Sequence, residues 1–174
     1  MKKVILLVAL ISGSAMAAPN TLMGGGDGYW GWLISPELRV LPNGLGVGGK
    51  LALARYEGDH GLLIGGQFNL HQLGDPGTDI SMTQYGLMLG YRYMPYQVAH
   101  WDTEVVLGQI SQNDGNGAAT AFAGELSGTW KVNVHPNIQV GVGLAAIVSG
   151  QPDSDTIAAV ETLAGRLVFE FGKF

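Results

Sequence analysis

The chain has no cysteine, few charges and no long apolar run beyond its N-terminal stretch. Without cysteine no disulfide framework holds the fold, and the redox compartment stays open. Charged residues make up 13% of the 174, about half the share of a soluble domain. A water-soluble barrel must clothe its outside in charge, and this chain has little available. Also absent are a Gly-rich phosphate loop leading into a helix and the His/Cys spacing of a metal site. No cofactor and no metal are therefore expected. There is no basic run and the net charge is −5, which makes nucleic acid a poor partner. No later segment sustains a helical period or reaches the ~20 apolar residues of a transmembrane helix.

What is present begins with a secretory signal. Lys2 and Lys3 supply the positive start, residues 4–11 the apolar stretch, and Ala15-Met16-Ala17 a small-x-small cleavage site. The apolar stretch is too short to span a bilayer. Cleavage after Ala17 divides the chain into a signal peptide, 1–17, and a single domain, 18–174. Loss of Lys2 and Lys3 leaves seven cations against 14 carboxylates, a mature balance of −7.

Seven turn signals then cut the chain into eight segments. They are Pro42-Asn43-Gly44, Gly58-Asp59-His60-Gly61, Gly74-Asp75-Pro76-Gly77, Met94-Pro95-Tyr96, Asn113-Asp114-Gly115-Asn116-Gly117, His135-Pro136-Asn137 and Gly150-Gln151-Pro152-Asp153. Each segment alternates with period two, the mark of a strand. In the third, Leu62, Ile64, Phe68 and Leu70 oppose Gly65, Gln67, Asn69 and His71. In the fourth, Tyr85, Leu87, Leu89, Tyr91 and Tyr93 oppose Gln84, Gly86, Gly90 and Arg92. One face is large and apolar; the other is small or polar.

A soluble barrel or sandwich would turn the apolar face inward, and a membrane barrel would turn it to lipid. The small face decides between them. A barrel of about eight strands has just enough interior for side chains, and glycines make room for a few long ones. The expected fold is all-β: an eight-stranded, antiparallel, up-and-down transmembrane β-barrel. The aromatic residues point the same way. Trp30 and Trp32 open the first strand, Trp101 opens the fifth and Trp130 closes the sixth. Tyr91 and Tyr93 close the fourth, and Phe169 and Phe171 close the eighth. All face outward at one height, as a girdle at a membrane interface does. An even strand number puts both termini, and this girdle, on the periplasmic side. The opposite belt is sparse, with Tyr85 and Phe122. The outer turns are short and carry Asp75, Asp79, Asp114, Asp153 and Asp155. Adhesins and receptors need longer loops to present a surface.

Strand parity, set from the apolar residues alone, assigns ten charges to the lumen. They are Glu37, Arg39, Lys50, Arg92, Asp102, Glu104, Glu125, Lys131, Arg166 and Glu170, five of each sign. Buried charge must be paired and hydrogen-bonded. The expected clusters are Lys50 with Glu37, Glu104 and Glu125, and Arg92, Lys131 and Arg166 with Asp102 and Glu170. Such charges serve either as a structural plug or as a proton path, gate or catalytic site. A lumen this narrow leaves no aqueous channel, which favours the plug.

Few residues remain for chemistry. His60 and His135 fall in expected periplasmic turns, exposed to solvent. His100 starts a strand beside Trp101. His71 faces the lumen near the outer rim, above Asn69 and Gln67, with Ser111 and Ser149 at similar height and parity. A His/Ser pair with a carboxylate there could hydrolyse an ester, the base activating the hydroxyl. No local motif ties these residues together, and no catalytic residue is assigned. Pro36 lies mid-strand on the lipid face, where a missing N–H calls for a bulge near Ser35-Pro36, with or without a lateral opening. Glu161 points outward and requires that part of the eighth strand to stand above the membrane.

Signal, eight alternating strands, aromatic girdle, charged lumen and terminal phenylalanine together resemble the small eight-stranded outer-membrane β-barrel proteins of Gram-negative bacteria. The resemblance covers the whole mature chain and rests on pattern. Leu167-Val168-Phe169-Glu170-Phe171-Gly172-Lys173-Phe174 resembles the family's C-terminal assembly signal, with Phe174 as its terminal aromatic. Gly172 and Glu170 stand where that signal has apolar residues. The resemblance implies a cell outer-membrane location, lipid surroundings and the barrel-insertion machinery as a partner in assembly. It leaves two functional classes open: structural membrane proteins, and enzymes that deacylate or transfer acyl chains on outer-leaflet lipid A. The lipid A deacylases carry a His-x-Ser pair on one strand. His71-Gln72-Leu73 and His100-Trp101-Asp102 do not match it, so no catalytic residue carries over. The expectation is a small outer-membrane barrel with a closed, salt-bridged lumen and a structural or accessory role. The alternatives are a lipid A-modifying enzyme and a narrow, porin-like pore.

Overall fold

The computed structural model describes residues 28–75, 78–96, 98–113, 115, 117–151 and 159–173. The signal peptide, Phe174, Asp114, Asp153 and Asp155 lie outside the described residues, as do the side chains of Asp75 and Asp79.

Eight strands follow one another: β1 (Tyr29–Leu41), β2 (Gly44–Glu57), β3 (His60–Asp75), β4 (Thr78–Tyr96), β5 (Ala99–Asn113), β6 (Ala118–His135), β7 (Ile138–Ser149) and β8 (Glu161–Lys173). Each pairs antiparallel with its neighbours in sequence, and β8 pairs with β1. Closure leaves no sheet edge with unpaired backbone groups.

Alternation sets which way each side chain faces. On β1 every second residue from Gly31 to Leu41 is buried and the intervening ones are exposed. The polarity is the reverse of a soluble protein's. Leu45, Leu51 and Leu87 are 67%, 62% and 78% exposed, while Lys50 and Glu104 are buried. A continuous apolar exterior with charge inside is stable only against lipid.

At the end of the barrel that carries the termini, β2–β3 and β6–β7 turn within two residues each, 58–59 and 136–137. Gly58, at φ +56°, adopts the left-handed conformation such a turn needs. His60 is therefore the first residue of β3 rather than part of a loop. β4 runs on to Tyr96, through the expected turn at Met94-Pro95-Tyr96, with a register shift between Tyr93 and Tyr96. A bulge there accommodates a proline that has no N–H to donate. At the opposite end the connection between β7 and β8, 150–160, is longer than the turn expected from Gly150-Gln151-Pro152-Asp153.

Pro36 does not produce the expected bulge. The β1–β2 register runs unbroken through Ser35↔Lys50 and Pro36↔Gly49. Between β1 and β8 the pairing lapses at Ser35 and Pro36, then resumes unshifted, with Ile34↔Phe171 before the gap and Glu37↔Val168 after it. The missing N–H thus interrupts one ladder without inserting a residue. Ser35 faces inward at this gap and donates to Glu170 Oε2 of β8 at 2.8 Å, closing the seam from inside.

Candidate functional site

The lumen concentrates the polar chemistry of the molecule. Glu37 and Arg39 come from β1, Lys50 from β2, Arg92 from β4, Asp102 and Glu104 from β5, Glu125 and Lys131 from β6, and Arg166 and Glu170 from β8. All ten are at most 4% exposed. They form two connected layers.

The layer nearer the termini joins Arg92 and Lys131 to Asp102 and Glu170. Arg92 donates to both oxygens of Asp102 at 2.8 Å and to Glu170 Oε1 at 2.5 Å. Lys131 Nζ donates to Asp102 Oδ2 at 2.6 Å and to Glu170 Oε2 at 2.5 Å. Tyr56 OH accepts from Arg92 at 3.2 Å. The second layer joins Arg39, Arg166 and Lys50 to Glu37, Glu104 and Glu125. Arg39 grips both oxygens of Glu125 at 2.7 and 2.8 Å and turns Nε to Glu37 Oε1 at 2.6 Å. Arg166 donates to Glu37 Oε2 at 2.6 and 2.9 Å and to Glu104 Oε2 at 3.1 Å. Lys50 pairs with Glu104, and its Nζ lies 4.0 Å from Glu170, linking the layers. Gln67 and Gln84 donate to Glu125 Oε2 at 3.1 and 2.9 Å.

These pairs differ from the expected clusters. Arg166 joins Glu37 and Glu104 rather than Asp102 and Glu170. Lys50 meets Glu104 but neither Glu37 nor Glu125, and Arg39 takes those two. The cause is the closing register, which sets Arg39 directly beside Arg166 across β1 and β8. Two guanidinium groups can lie side by side only with carboxylates between and around them, and Glu37 supplies one to both.

Small residues let the long ones fit. A Cβ on Gly141 would stand 2.5 Å from Lys131 Cγ, so glycine there is the space that the Lys131 chain occupies.

An apolar stopper lies beyond the charges, at the end away from the termini. Leu41, Met82, Ile110 and Ile147 pack there with Ala121 and Ala164, all buried. Leu73 and Val160 cover them. The strand pattern carries a signal for it that the polar neighbours mask: Leu41 shares the parity of Arg39, and Met82 that of Gln84.

The residues considered for catalysis do not assemble. His71 is buried in the lumen against Gly46, and among the described residues neither ring nitrogen has a hydrogen-bond partner. Ser149 is committed elsewhere, accepting from Val160 N at 2.8 Å and donating to Gly150 O at 3.0 Å. Ser111 does not share the parity of His71. It lies between the buried Ile110 and Gln112 and faces outward. His100 is buried, with Nε2 4.0 Å from Asp102 Oδ1. His135 is exposed. His60 is not a solvated turn residue: it stacks on Tyr91 and Tyr93 at 5.9 and 5.5 Å and meets Tyr91 OH at 2.5 Å. Glu161 is exposed at the first position of β8, at the end away from the termini.

On the outside, Trp30, Trp32, Tyr93, Trp130, Phe169 and Phe171 are 36–60% exposed, and Tyr91 and Trp101 are half-buried. All lie at the termini end. Register joins three of them laterally, through Tyr93↔Trp101 and Trp101↔Trp130.

No protein-family model matches the sequence, and no curated protein matches it by sequence. Solved structures do match. The N-terminal β-barrel domain of Pseudomonas aeruginosa OprF aligns with a TM-score of 0.55 at 15% identity, over 84% of this chain and 99% of that one. Neisserial surface protein A aligns with a TM-score of 0.53 at 14% identity, over 87% and 99%. Ail, the attachment invasion locus protein of Yersinia pestis, aligns with a TM-score of 0.50 at 12% identity, over 87% and 100%. The fold is that of the small outer-membrane β-barrels. At these identities the likeness is one of architecture, and what the barrel does must come from its own interior and wall.

Proposed function

We propose that this protein is a sealed barrel of the Gram-negative outer membrane with a structural or accessory role. Its termini face the periplasm with the connections 58–59, 97–98 and 136–137, and the two longest connections, 114–117 and 150–160, face outward, as is usual for such barrels. The supporting observation is the filling of the lumen. Among the described residues, two layers of paired charge are followed by an apolar cluster, which supports a lumen closed by its own side chains. A pore needs a continuous polar path. An enzyme acting on lipid A needs a base within reach of a hydroxyl or water. His71 and Ser149 are separately buried, and the Ser149 hydroxyl is engaged by the backbone. Outer-membrane lipid is the expected surrounding, and the barrel-insertion machinery the expected partner in assembly.

The test uses the reconstituted protein and the cells that make it. In planar bilayers it is expected to give no steady conductance, and lipid A from cells with and without it is expected to have the same mass. A steady conductance altered by Glu104→Gln would make it a pore. A gained or lost acyl chain would make it an enzyme.

A further inference from the structure

Five of the seven described cations face the lumen; the other two, Arg55 and Lys173, face outward. Both stand at the termini end, on the strands that flank β1. Arg55 is the cross-strand partner of Trp30, and Lys173 that of Trp32. The Arg55 guanidinium lies 5.8 Å from the Trp30 ring centre and donates to Gly28 O at 2.7 Å, which holds it at the girdle. Among the described residues neither cation forms an ion pair. With strands about 4.8 Å apart and a two-residue offset along β1, the Cα atoms of Arg55 and Lys173 stand about 12 Å apart.

The same wall carries a groove of about 960 Å³ toward the middle of the barrel. Its floor includes Pro36, Gly49 and Gly66, and its sides include Ile34, Leu51 and Phe68. It lies where outward side chains are missing, on β1 to β5; β2 also carries Arg55, and Lys173 stands on β8, the other neighbour of β1. From Arg55 to Gly49 along β2 is about 20 Å at the usual strand rise.

We propose that this wall binds one anionic phospholipid of the periplasmic leaflet, with its phosphate between Arg55 and Lys173 and an acyl chain in the Pro36–Gly49–Gly66 groove. A lipid, rather than free phosphate, is indicated because the two cations flank β1 at the girdle and the groove lies farther along β1 and β2 on the same outer wall. Charge-assisted donors favour the phosphate, and the tryptophans sit at headgroup level. The opposite end has no outward cation among the described residues and exposes Glu161. The inference rests on the membrane reading, and its test separates the two.

The experiment is native mass spectrometry of the folded, delipidated protein titrated with phosphatidylglycerol or phosphatidylcholine, with insertion into vesicles scored on the same samples. One phosphatidylglycerol should bind in preference to phosphatidylcholine. Arg55→Gln with Lys173→Gln should weaken it at least about tenfold, two surface cations being removed. Gly66→Leu should fill the groove and weaken it severalfold. A Cβ at Gly66 meets nothing closer than 3.8 Å, so this variant is expected to fold. Millimolar inorganic phosphate should not displace the lipid. Unchanged binding in the double variant overturns the inference. So does displacement by inorganic phosphate with Gly66→Leu inert, which would mean an ion site only. A wild-type chain that fails to insert removes the membrane reading as well.

Discussion

Arg92→Met is expected to destabilise the folded barrel by about 3–5 kcal/mol, read from urea unfolding in lipid vesicles. Arg92 is fully buried and holds Asp102 through two hydrogen bonds and Glu170 through a third. Without it, Lys131 and Ser35 keep their hydrogen bonds to that pair of carboxylates, and Lys50, 4.0 Å from Glu170, is the other cation nearby, in a space filled by side chains. The cost comes more from the carboxylate charge left unpaired than from the hydrogen bonds that Arg92 itself makes. Removing Arg92 and Asp102 together should therefore cost less than the sum of the single changes, a coupling that a double-mutant cycle reads directly. Lys173→Met, on the outside, should stay within about 0.5 kcal/mol of wild type. A loss below about 1 kcal/mol for Arg92→Met would mean that the lumen is wet and its ion pairs screened.

The second large effect belongs to the outer wall. Leu89 is 57% exposed and sits mid-wall between Ile64 and Val105. Leu89→Arg is expected to cost about 2–4 kcal/mol in a bilayer, while Ser81→Arg, near the end of β4, costs about 0–1 kcal/mol. A soluble barrel would show no such depth dependence, because an arginine on its surface would be hydrated at either position.

Which parts of the molecule can be read without coordinates follows from the range of the interactions involved. Facing is local: period-two alternation along Leu62, Ile64, Phe68 and Leu70 fixes the outside of β3, and Gln67 and Asn69 lie buried opposite. Pairing is not local. Arg39 and Arg166 lie at opposite ends of the chain and become neighbours only when β8 closes on β1. The stagger of closure, which no segment encodes alone, then decides which carboxylate each one takes. The apolar stopper is hidden for a different reason. Met82 and Ile110 obey the inward parity, yet apolar residues on a polar face read as lapses in the pattern. Ser111 matches His71 in height along the barrel, but its parity places it outside. His60 depends on one backbone angle, because the left-handed Gly58 shortens the turn and delivers the imidazole to Tyr91 and Tyr93. Pro36 calls for a bulge only if both ladders have to stay intact. The molecule instead gives up pairing on one side and bridges the gap with Ser35 and Glu170.

The central claim is that this wall faces lipid, with its girdle at one interface. Tryptophan fluorescence in vesicles of brominated phospholipids tests it most directly, because Trp30, Trp32, Trp101 and Trp130 all lie outward at the same end. Bromine near the headgroup should quench strongly and bromine near the bilayer centre weakly. Quenching strongest at the bilayer centre, or none from either lipid, would contradict the account.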